Sequence, residues 1–244
     1  MKAIVLAGGY ATRLYPLTRD RPKHLLEVGG RPILELLLER LPLDELDAMY
    51  VVTNAKFAER FREWAASYPA DLSVIDDGTT SDEDRLGAIG DLRLAIDTEN
   101  LDDDLIVAAG DNLFTERLDA FARFGQERDA AAIAVYDVGD LEEMKRLSSI
   151  VVDADSRLIS FVEKPERPES TLAGIALYFY PRAILPLVGR YLAEGNNPDQ
   201  PGRLIGWLYR RTPVYAWRVP GQWFDVGTPE TLAEAQRIFG SGSG

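Results

Sequence analysis

Cysteine is absent from this 244-residue sequence, and histidine occurs once, as His24. The missing cysteine excludes disulfides, zinc sites built from thiolates and a cysteine nucleophile, so folding does not depend on oxidation. A single histidine cannot form an imidazole metal cluster, and no acid–base partner for it is evident in the surrounding PKHLL. We therefore interpret His24 as a structural residue.

The sequence also lacks long hydrophobic runs. The longest one, residues 172–181, contains a glycine and a proline and has about half of the ~20 residues that a membrane-spanning helix needs. Near the N-terminus, five apolar residues separate Lys2 from Gly8, whereas the core of a secretory signal has about 7–15. We therefore expect neither a transmembrane helix nor an export signal, and we expect a cytoplasmic protein.

Positive charge is scarce, since 27 Lys and Arg stand against 40 Asp and Glu, for a net charge of -13. Such a charge repels polyanions, so nucleic acids and anionic membrane surfaces are poor candidate partners. The excess of acid is typical of a solvated surface, and adaptation to high salt is a second hypothesis. One stretch is an exception, and we expect a small anion to bind there. Its basic residues are Arg13, Arg19, Arg21 and Lys23, against Asp20 alone.

Two common nucleotide-binding motifs are missing as well. The chain contains no Gly-Lys pair, which excludes the P-loop motif GxxxxGK[ST]. The dinucleotide motif GxGxxG also fails, because its third glycine would fall near Thr12 or Arg13. The second predicted strand ends in Thr53-Asn54, where a ribose-binding acid would be expected. NAD is therefore not expected as a cofactor.

Short apolar runs alternate with amphipathic segments, which predicts an α/β fold with a mostly parallel sheet covered by helices. After residue 137 strands predominate, and a hairpin through residues 153–157 is expected. The last predicted helix has Thr228 as its N-cap and Pro229 at its first position. Strands are predicted at 3–6, 48–53, 72–75, 105–109, 131–136, 150–152, 158–162 and 173–180. Helices are predicted at 33–41, 57–68, 85–96, 118–127, 182–194, 203–209 and 229–239.

Candidate functional residues follow the predicted strands, because ligands bind beyond the carboxyl ends of an open parallel sheet. Gly8 and Gly9 would let backbone N–H groups approach a phosphate, although a glycine pair by itself is most often a turn. Asp111 in AGDN would suit Mg²⁺, an Asx turn or a helix cap. Asp225 in QWFDVGTPE has the same alternatives, and Lys164 in EKPE alone indicates a turn.

Five segments form a pattern in a fixed order: LAGGYATRLYPLTRDRPKHLLEVGGRPIL at 6–34, LGAIGDL at 86–92, AGDN at 109–112, FVEKP at 161–165 and WFDVGTPE at 223–230. Together they resemble the sugar-1-phosphate nucleotidylyltransferases, or NDP-sugar pyrophosphorylases, nearest the glucose-1-phosphate thymidylyltransferase branch. The resemblance covers nearly the whole chain. It implies a Rossmann-like nucleotidyltransferase fold, with a mixed, mostly parallel sheet, flanking helices and a small β-hairpin sugar-binding subdomain.

The resemblance also implies the domain organisation and the reaction. One domain is expected at 1–239, with a nucleotide-binding part at about 1–137, a sugar-phosphate-binding part at about 138–239 and a flexible tail at 240–244. An NTP and a sugar-1-phosphate would give an NDP-sugar and pyrophosphate by Mg²⁺-dependent in-line attack on the α-phosphate. The acceptor phosphate is already ionised at pH 7, so no general base is needed. The expected partners are these small molecules, with homo-oligomerisation left open.

The resemblance assigns roles to individual residues. Arg13 would neutralise the leaving pyrophosphate, Lys23 would contact the phosphates at the reacting centre, and Lys164 would hold the sugar phosphate. The expected metal ligands are Asp111 and Asp225. The expected nucleotide-binding residues are Leu6, Ala7, Gly8, Gly9, Thr12, Arg13, Gly87 and Asp111. The expected sugar-phosphate-binding residues are Ser148, Glu163, Lys164 and Ile175.

The acceptor pocket departs from the family pattern. Leu147-Ser148 stand where the family often has Tyr-Gly, and Ile175-Ala176 stand where it has Thr-Gly. The added side chains would reshape the pocket, so the acceptor stays open. The alternatives are a cytidylyltransferase for a phospho-alcohol such as phosphocholine or inositol phosphate, and a non-catalytic sugar-nucleotide-binding protein. A glycosyltransferase would need Asp-x-Asp where residues 111–113 read Asp-Asn-Leu. The sequence does not indicate whether the NTP substrate is dTTP, UTP, CTP or GTP.

Overall fold

The computed structural model describes residues 1–240, so the predicted tail at 240–244 lies outside the described residues apart from Gly240. The strands are β1 (Lys2–Leu6), β2 (Glu27–Val28), β3 (Arg31–Pro32), β4 (Ala48–Thr53), β5 (Leu72–Asp76), β6 (Leu105–Ala109), β7 (Asn112–Phe114), β8 (Ala131–Asp137), β9 (Ser148–Val152), β10 (Leu158–Glu163), β11 (Leu172–Tyr180), β12 (Val214–Arg218) and β13 (Trp223–Asp225). The helices are α1 (Ile33–Leu38), α2 (Ala58–Ala65), α3 (Ala88–Thr98), α4 (Asp119–Arg128), α5 (Leu141–Met144), α6 (Leu185–Ala193), α7 (Gly202–Leu208) and α8 (Pro229–Phe239). Among these helices, none is long and apolar enough to cross a bilayer.

Nine strands form one mixed sheet. Its order is β10-β9-β11-β6-β1-β4-β5, while β8 pairs with β11 and β12 pairs with β8. The β6-β1-β4-β5 part is parallel, so the loops that follow these strands meet at one edge. Strand β11 runs antiparallel to β6, β8 and β9 and joins this part to the β9–β10 hairpin. The expected α/β sheet with flanking helices and a small hairpin is confirmed.

Apolar side chains pack on both faces of the sheet. Because side chains alternate along a strand, Ile4 and Leu6 of β1 face one side, and Ala3 and Val5 face the other. The first face packs against α3, α6 and α7, and the second packs against α1, α2 and α4. Burial on both faces explains why the parallel strands occur in the sequence as continuous apolar runs.

Some boundaries differ from the predictions. The helix predicted at 85–96 begins at Ala88, because Gly87 has a φ of +78° and cannot continue a right-handed helix. Strand β12 was not predicted, although Val214 and Ala216 alternate with more exposed residues and the strand pairs with β8. The helix predicted at 229–239 is confirmed, and the Thr228 side chain caps it by accepting a hydrogen bond from a backbone N–H.

Candidate active site

A cleft of about 500 Å³ opens at the carboxyl edge of the parallel strands. It is lined by the loop after β1, by segments that follow β5 and β6, by the last residue of β13 and by residues 199–201 before α7. Ala7, directly after β1, is buried and donates its N–H to the Val52 carbonyl. The other predicted residues that line the cleft are Leu6, Gly8, Gly9, Thr12, Arg13, Lys23, Gly87, Asp111 and Asp225.

Two glycines of the cleft have no room for a side chain. A Cβ on Gly8 would lie 2.6 Å from Asp91 Oδ2 and 3.3 Å from Asp77 Oδ2. A Cβ on Gly87 would lie 2.8 Å from the carbonyl group of Pro198. The sequence attributed Gly8 to the close approach of a phosphate, and the structure adds that Gly8 makes room for two carboxylates.

Asp111 and Asp225 lie close together because β7 and β13 pair. In this two-stranded antiparallel sheet Asp225 stands opposite Asn112, and Val226 N–H donates to the Asp111 carbonyl at 3.0 Å. Trp223 Nε1 donates to Asn112 Oδ1 at 2.6 Å, and Asn112 Nδ2 donates to Asp111 Oδ1 at 2.9 Å. The small sheet therefore joins two distant segments of the chain and orients the Asp111 carboxylate.

Lys23 neutralises the first of these carboxylates by donating from Nζ to Asp111 Oδ2. Burial raises the pKa of Asp111, but Lys23 and the hydrogen bonds to the carboxylate outweigh burial and hold this pKa at about 2. Desolvation, followed by repulsion from Asp111, raises the pKa of Asp225 to about 6. Two carboxylates that repel each other suit a hard divalent cation, which takes its remaining ligands from water and phosphate. No cluster of three or more acidic, His or Cys side chains offers a full protein cage within residues 1–240.

His24 agrees with the structural interpretation. It is a buried residue in the wall of the cleft, and its ring centroid lies 5.9 Å from that of Phe61. Burial, followed by the charge of Lys23, lowers its pKa to about 3, so the ring is neutral at pH 7.

A smaller cavity of about 170 Å³ adjoins the cleft and contains most of the predicted acceptor residues. Ser148 Oγ donates to Glu163 Oε2 at 2.5 Å, which orients that carboxylate. Ile175 is buried and forms part of the wall. Asp225 lines both cavities, so the smaller one opens beside the carboxylate pair.

An ion pair joins two loops at the mouth of the cleft. Arg85 donates from Nε and Nη2 to the two carboxylate oxygens of Asp199, at 3.1 and 3.0 Å. Behind this pair, Ile89 N–H donates to the Pro198 carbonyl at 2.9 Å. The loop before α3 is therefore tied to the loop before α7.

The comparison with known families decides the relationship. The sequence profile described as "Nucleotidyl transferase" matches residues 2–241. The chain belongs to the nucleotidyl transferase family. The suspected family resemblance is confirmed, and the match covers both predicted parts of the domain.

Two of the relatives of this nucleotidyl transferase are named for a sugar-1-phosphate. The chain is 29% identical to the UTP–glucose-1-phosphate uridylyltransferase AglF of Haloferax volcanii, over 97% of this chain and 96% of that protein. It is 27% identical to the bifunctional protein GlmU of Methanocaldococcus jannaschii, over 98% of this chain and 54% of that protein. It is 29% identical to a putative mannose-1-phosphate guanyltransferase of Sulfolobus acidocaldarius, over 94% of this chain and 60% of that protein. The chain thus spans little more than half the length of the last two.

Solved structures confirm the fold of this nucleotidyl transferase. A putative glucose-1-phosphate thymidylyltransferase from Bacillus anthracis superposes with a TM-score of 0.84 at 23% identity, covering 98% of this chain and 95% of that one. A UDP-glucose pyrophosphorylase superposes with a TM-score of 0.80 at 20% identity, and the match covers 98% of this chain and 97% of that one.

Lys164 is a predicted site residue that, like the buried Ala7, lines neither cavity of the nucleotidyl transferase. Its side chain is exposed, it lines neither cavity, and its backbone is left-handed with a φ of +47°. Its N–H donates to the Leu147 carbonyl at 2.9 Å. The sequence indicated a turn here, and the role in phosphate binding stays a prediction.

Sequence reasoning missed Asp77 and Asp91, which line the cleft near Gly8. Asp91 is 5% exposed and stands on the apolar side of α3, beside Leu92 and one turn before Ala95. An acidic residue within an apolar helical stripe was therefore the available signal, and it lies inside the LGAIGDL segment.

Proposed function

We propose that the protein joins an NTP to a sugar-1-phosphate and releases pyrophosphate, which gives an NDP-sugar. One observation carries this proposal: a single cleft holds the glycine loop, the cations Arg13 and Lys23 and the Asp111–Asp225 pair, with a separate cavity beside that pair. The named relatives, which transfer uridylyl and guanylyl groups to sugar phosphates, support the same reaction class.

In this proposal the acceptor phosphate lies at the smaller cavity and the NTP lies in the larger cleft. An oxygen of the acceptor phosphate forms a bond to the α-phosphorus, while the bond from the α-phosphorus to the pyrophosphate oxygen breaks. Lys23 holds the phosphates beside Asp111, and Arg13 neutralises the leaving pyrophosphate. The acceptor is ionised at pH 7, so the protein supplies position and charge rather than a general base.

Asp111 and Asp225 are the residues that we propose to hold Mg²⁺. When bound, this ion supplies positive charge to phosphate oxygens. On the acceptor side, Glu163 accepts hydrogen bonds from hydroxyl groups in the orientation that Ser148 fixes, and Lys164 contacts the sugar phosphate.

A compact phospho-alcohol is the second candidate acceptor. The observation that favours it is the small size of the acceptor cavity, about 170 Å³, in which the side chains of Ser148 and Ile175 occupy the wall. Phosphocholine and inositol phosphate offer the same ionised phosphate to the same carboxylate pair, so the chemistry of the transfer is unchanged.

Pyrophosphate release tests the proposal. Each NTP is combined with a panel of sugar-1-phosphates, phosphocholine and inositol phosphate, with Mg²⁺, at low and at molar KCl. Release that requires one NTP and one acceptor supports the proposal, and Asp111→Asn is expected to lose most of the turnover. Asp129→Asn, an exposed left-handed residue that tolerates asparagine, is the matched control. Nucleotide binding without release across the panel would instead favour a non-catalytic binding protein.

A further inference from the structure

The small acceptor cavity carries an excess of negative charge. Of the described residues that line it, Glu163 and Asp225 bear carboxyl groups and Arg146 alone is positive. An acceptor phosphate brings further negative charge, so it needs a cation within reach of its oxygens. Lys164, to which the family resemblance gave this role, has an exposed side chain and does not line the cavity. Arg146 is therefore the cation that the cavity itself offers to the acceptor.

The β9–β10 hairpin explains why Arg146 reaches the cavity and Lys164 does not. Ser148 stands opposite Glu163 at one end of the hairpin, and the hydrogen bond between their side chains lies in the cavity wall. Side chains alternate along a strand, so the residue after Glu163 is directed away from the cavity. Arg146 comes between α5 and β9, two residues before Ser148, and its side chain lines the cavity.

The guanidinium group of Arg146 is free to bind an anion. It forms neither a hydrogen bond nor a salt bridge anywhere in residues 1–240. The adjacent Lys145 differs, because its Nζ donates to the two carboxylate oxygens of Glu142 at 2.7 and 2.6 Å. An unpaired arginine in a cavity suits phosphate, since its planar donors can bind two phosphate oxygens at once.

Two arginines flank the proposed metal ligand Asp225. Arg13 lines the cleft in which we place the NTP, Arg146 lines the acceptor cavity, and Asp225 lines both. All three residues also line a third cavity of about 700 Å³, so they border one common space. In-line transfer places the entering and leaving oxygens on opposite sides of the α-phosphorus. One arginine in each cavity would give each of these two groups its own positive charge.

We propose that Arg146 is the principal residue that binds the acceptor phosphate, while Arg13 serves the leaving pyrophosphate. A contact from the guanidinium group to two phosphate oxygens would hold the acceptor beside Asp225. The rest of the acceptor then extends toward Glu163, which repels phosphate but accepts hydrogen bonds from hydroxyl groups. This inference rests on the proposed function. It predicts that Arg146 affects the KM for the acceptor and leaves the KM for the NTP unchanged.

Steady-state kinetics of pyrophosphate release with Mg²⁺ tests this prediction, with the best wild-type acceptor among glucose-1-phosphate, phosphocholine and inositol phosphate. Arg146→Gln is expected to raise the KM for the acceptor at least about tenfold, the effect of losing a hydrogen bond between charged groups. Arg146→Lys keeps the charge but loses the planar donors, so it should recover part of this loss. The matched control is Lys145→Gln, which replaces an adjacent exposed cation outside the acceptor cavity and should keep both KM values.

Three results would overturn the inference while the proposed reaction stands. The first is an unchanged KM for the acceptor in Arg146→Gln. The second is a larger rise of this KM in Lys164→Gln than in Arg146→Gln, which would return the phosphate to Lys164. The third is a rise in the KM for the NTP alone, which would place Arg146 at the pyrophosphate. A wild-type protein that releases no pyrophosphate with any acceptor would overturn both the inference and the proposed function.

Discussion

Asp91→Asn is expected to change how the stability of the protein depends on pH. Burial, followed by repulsion from Asp77, raises the pKa of Asp91 from 3.8 to about 7. Between pH 3.8 and about pH 7, Asp91 therefore keeps a proton in the folded protein that it has released in the unfolded chain. In this window the folded state binds more protons than the unfolded state, so the free energy of unfolding falls as pH rises, and the loss is complete above pH 7.

The size of the effect follows from the shift. About three pKa units at 1.36 kcal/mol each give an upper limit of about 4 kcal/mol, and Asp91 is 5% exposed, so solvent screens little of it. Local relaxation in the cleft lowers this limit, and we expect about 2 kcal/mol. An asparagine amide keeps the shape of the side chain, stays neutral and still donates to Asp77. The stability advantage of the variant should be small near pH 5, where the wild type has lost only about a third of this contribution, and complete near pH 8.5.

Urea denaturation at pH 5, 7 and 8.5, followed by tryptophan fluorescence, measures this difference. Asp97→Asn is the control, because Asp97 lies on the same helix, is exposed and pairs with Arg93, so its replacement should change stability by a similar small amount at each pH. If Asp91→Asn and the wild type lose stability in parallel from pH 5 to 8.5, Asp91 does not carry the proton, and the reasoning fails.

Three other variants test the geometry of the site. Gly8→Ala is expected to lower Tm because its Cβ would lie 2.6 Å from Asp91 Oδ2. Adding Asp91→Ala should restore Tm. An unaltered Tm in the single variant would contradict the crowding. Thr228→Ala is expected to reduce stability by about 1 kcal/mol through loss of the helix cap, whereas Thr228→Ser should retain it, and equal denaturation curves for the two would show that the cap is dispensable. Arg85→Ala should change stability by less than about 1 kcal/mol, because its ion pair with Asp199 is exposed. The same variant should raise KM for the NTP. An unchanged KM would exclude the ion pair from nucleotide binding.

The parallel strands and several residues that line the cleft were predictable from the sequence. Each strand is a short apolar run buried on both faces, and the residue types that suit phosphate or metal follow these runs directly. Gly8, Gly9 and Asp111 were found in this way, because the carboxyl edge of a parallel sheet gathers the loops of adjacent strands. The sequence singled out Asp225 as well, but only the family resemblance implied that it acts together with Asp111, because the pairing of Asp225 with Asn112 joins distant segments.

Other features depend on packing that a local pattern does not record. Asp91 occupies an apolar position of α3, and only the approach of β5 brings Asp77 beside it. The sequence indicated a turn at Lys164, but it did not predict the left-handed backbone of that residue. The start of α3 was misplaced because the close contact of Gly87 with Pro198 sets it.

With Asp111 and Asp225 in their proposed metal-binding role, the pairing of β7 with β13 makes activity sensitive to a small opening of the structure. Asp225 belongs to a three-residue strand that leads directly into α8, outside the nine-stranded sheet. Short peripheral elements open with a lower free energy than the sheet to which they are attached. Detachment of β13 would separate the carboxylates while the sheet stays intact. On heating, loss of turnover should therefore precede the main melting transition, and hydrogen exchange should be faster at residues 223–239 than in β1 and β6.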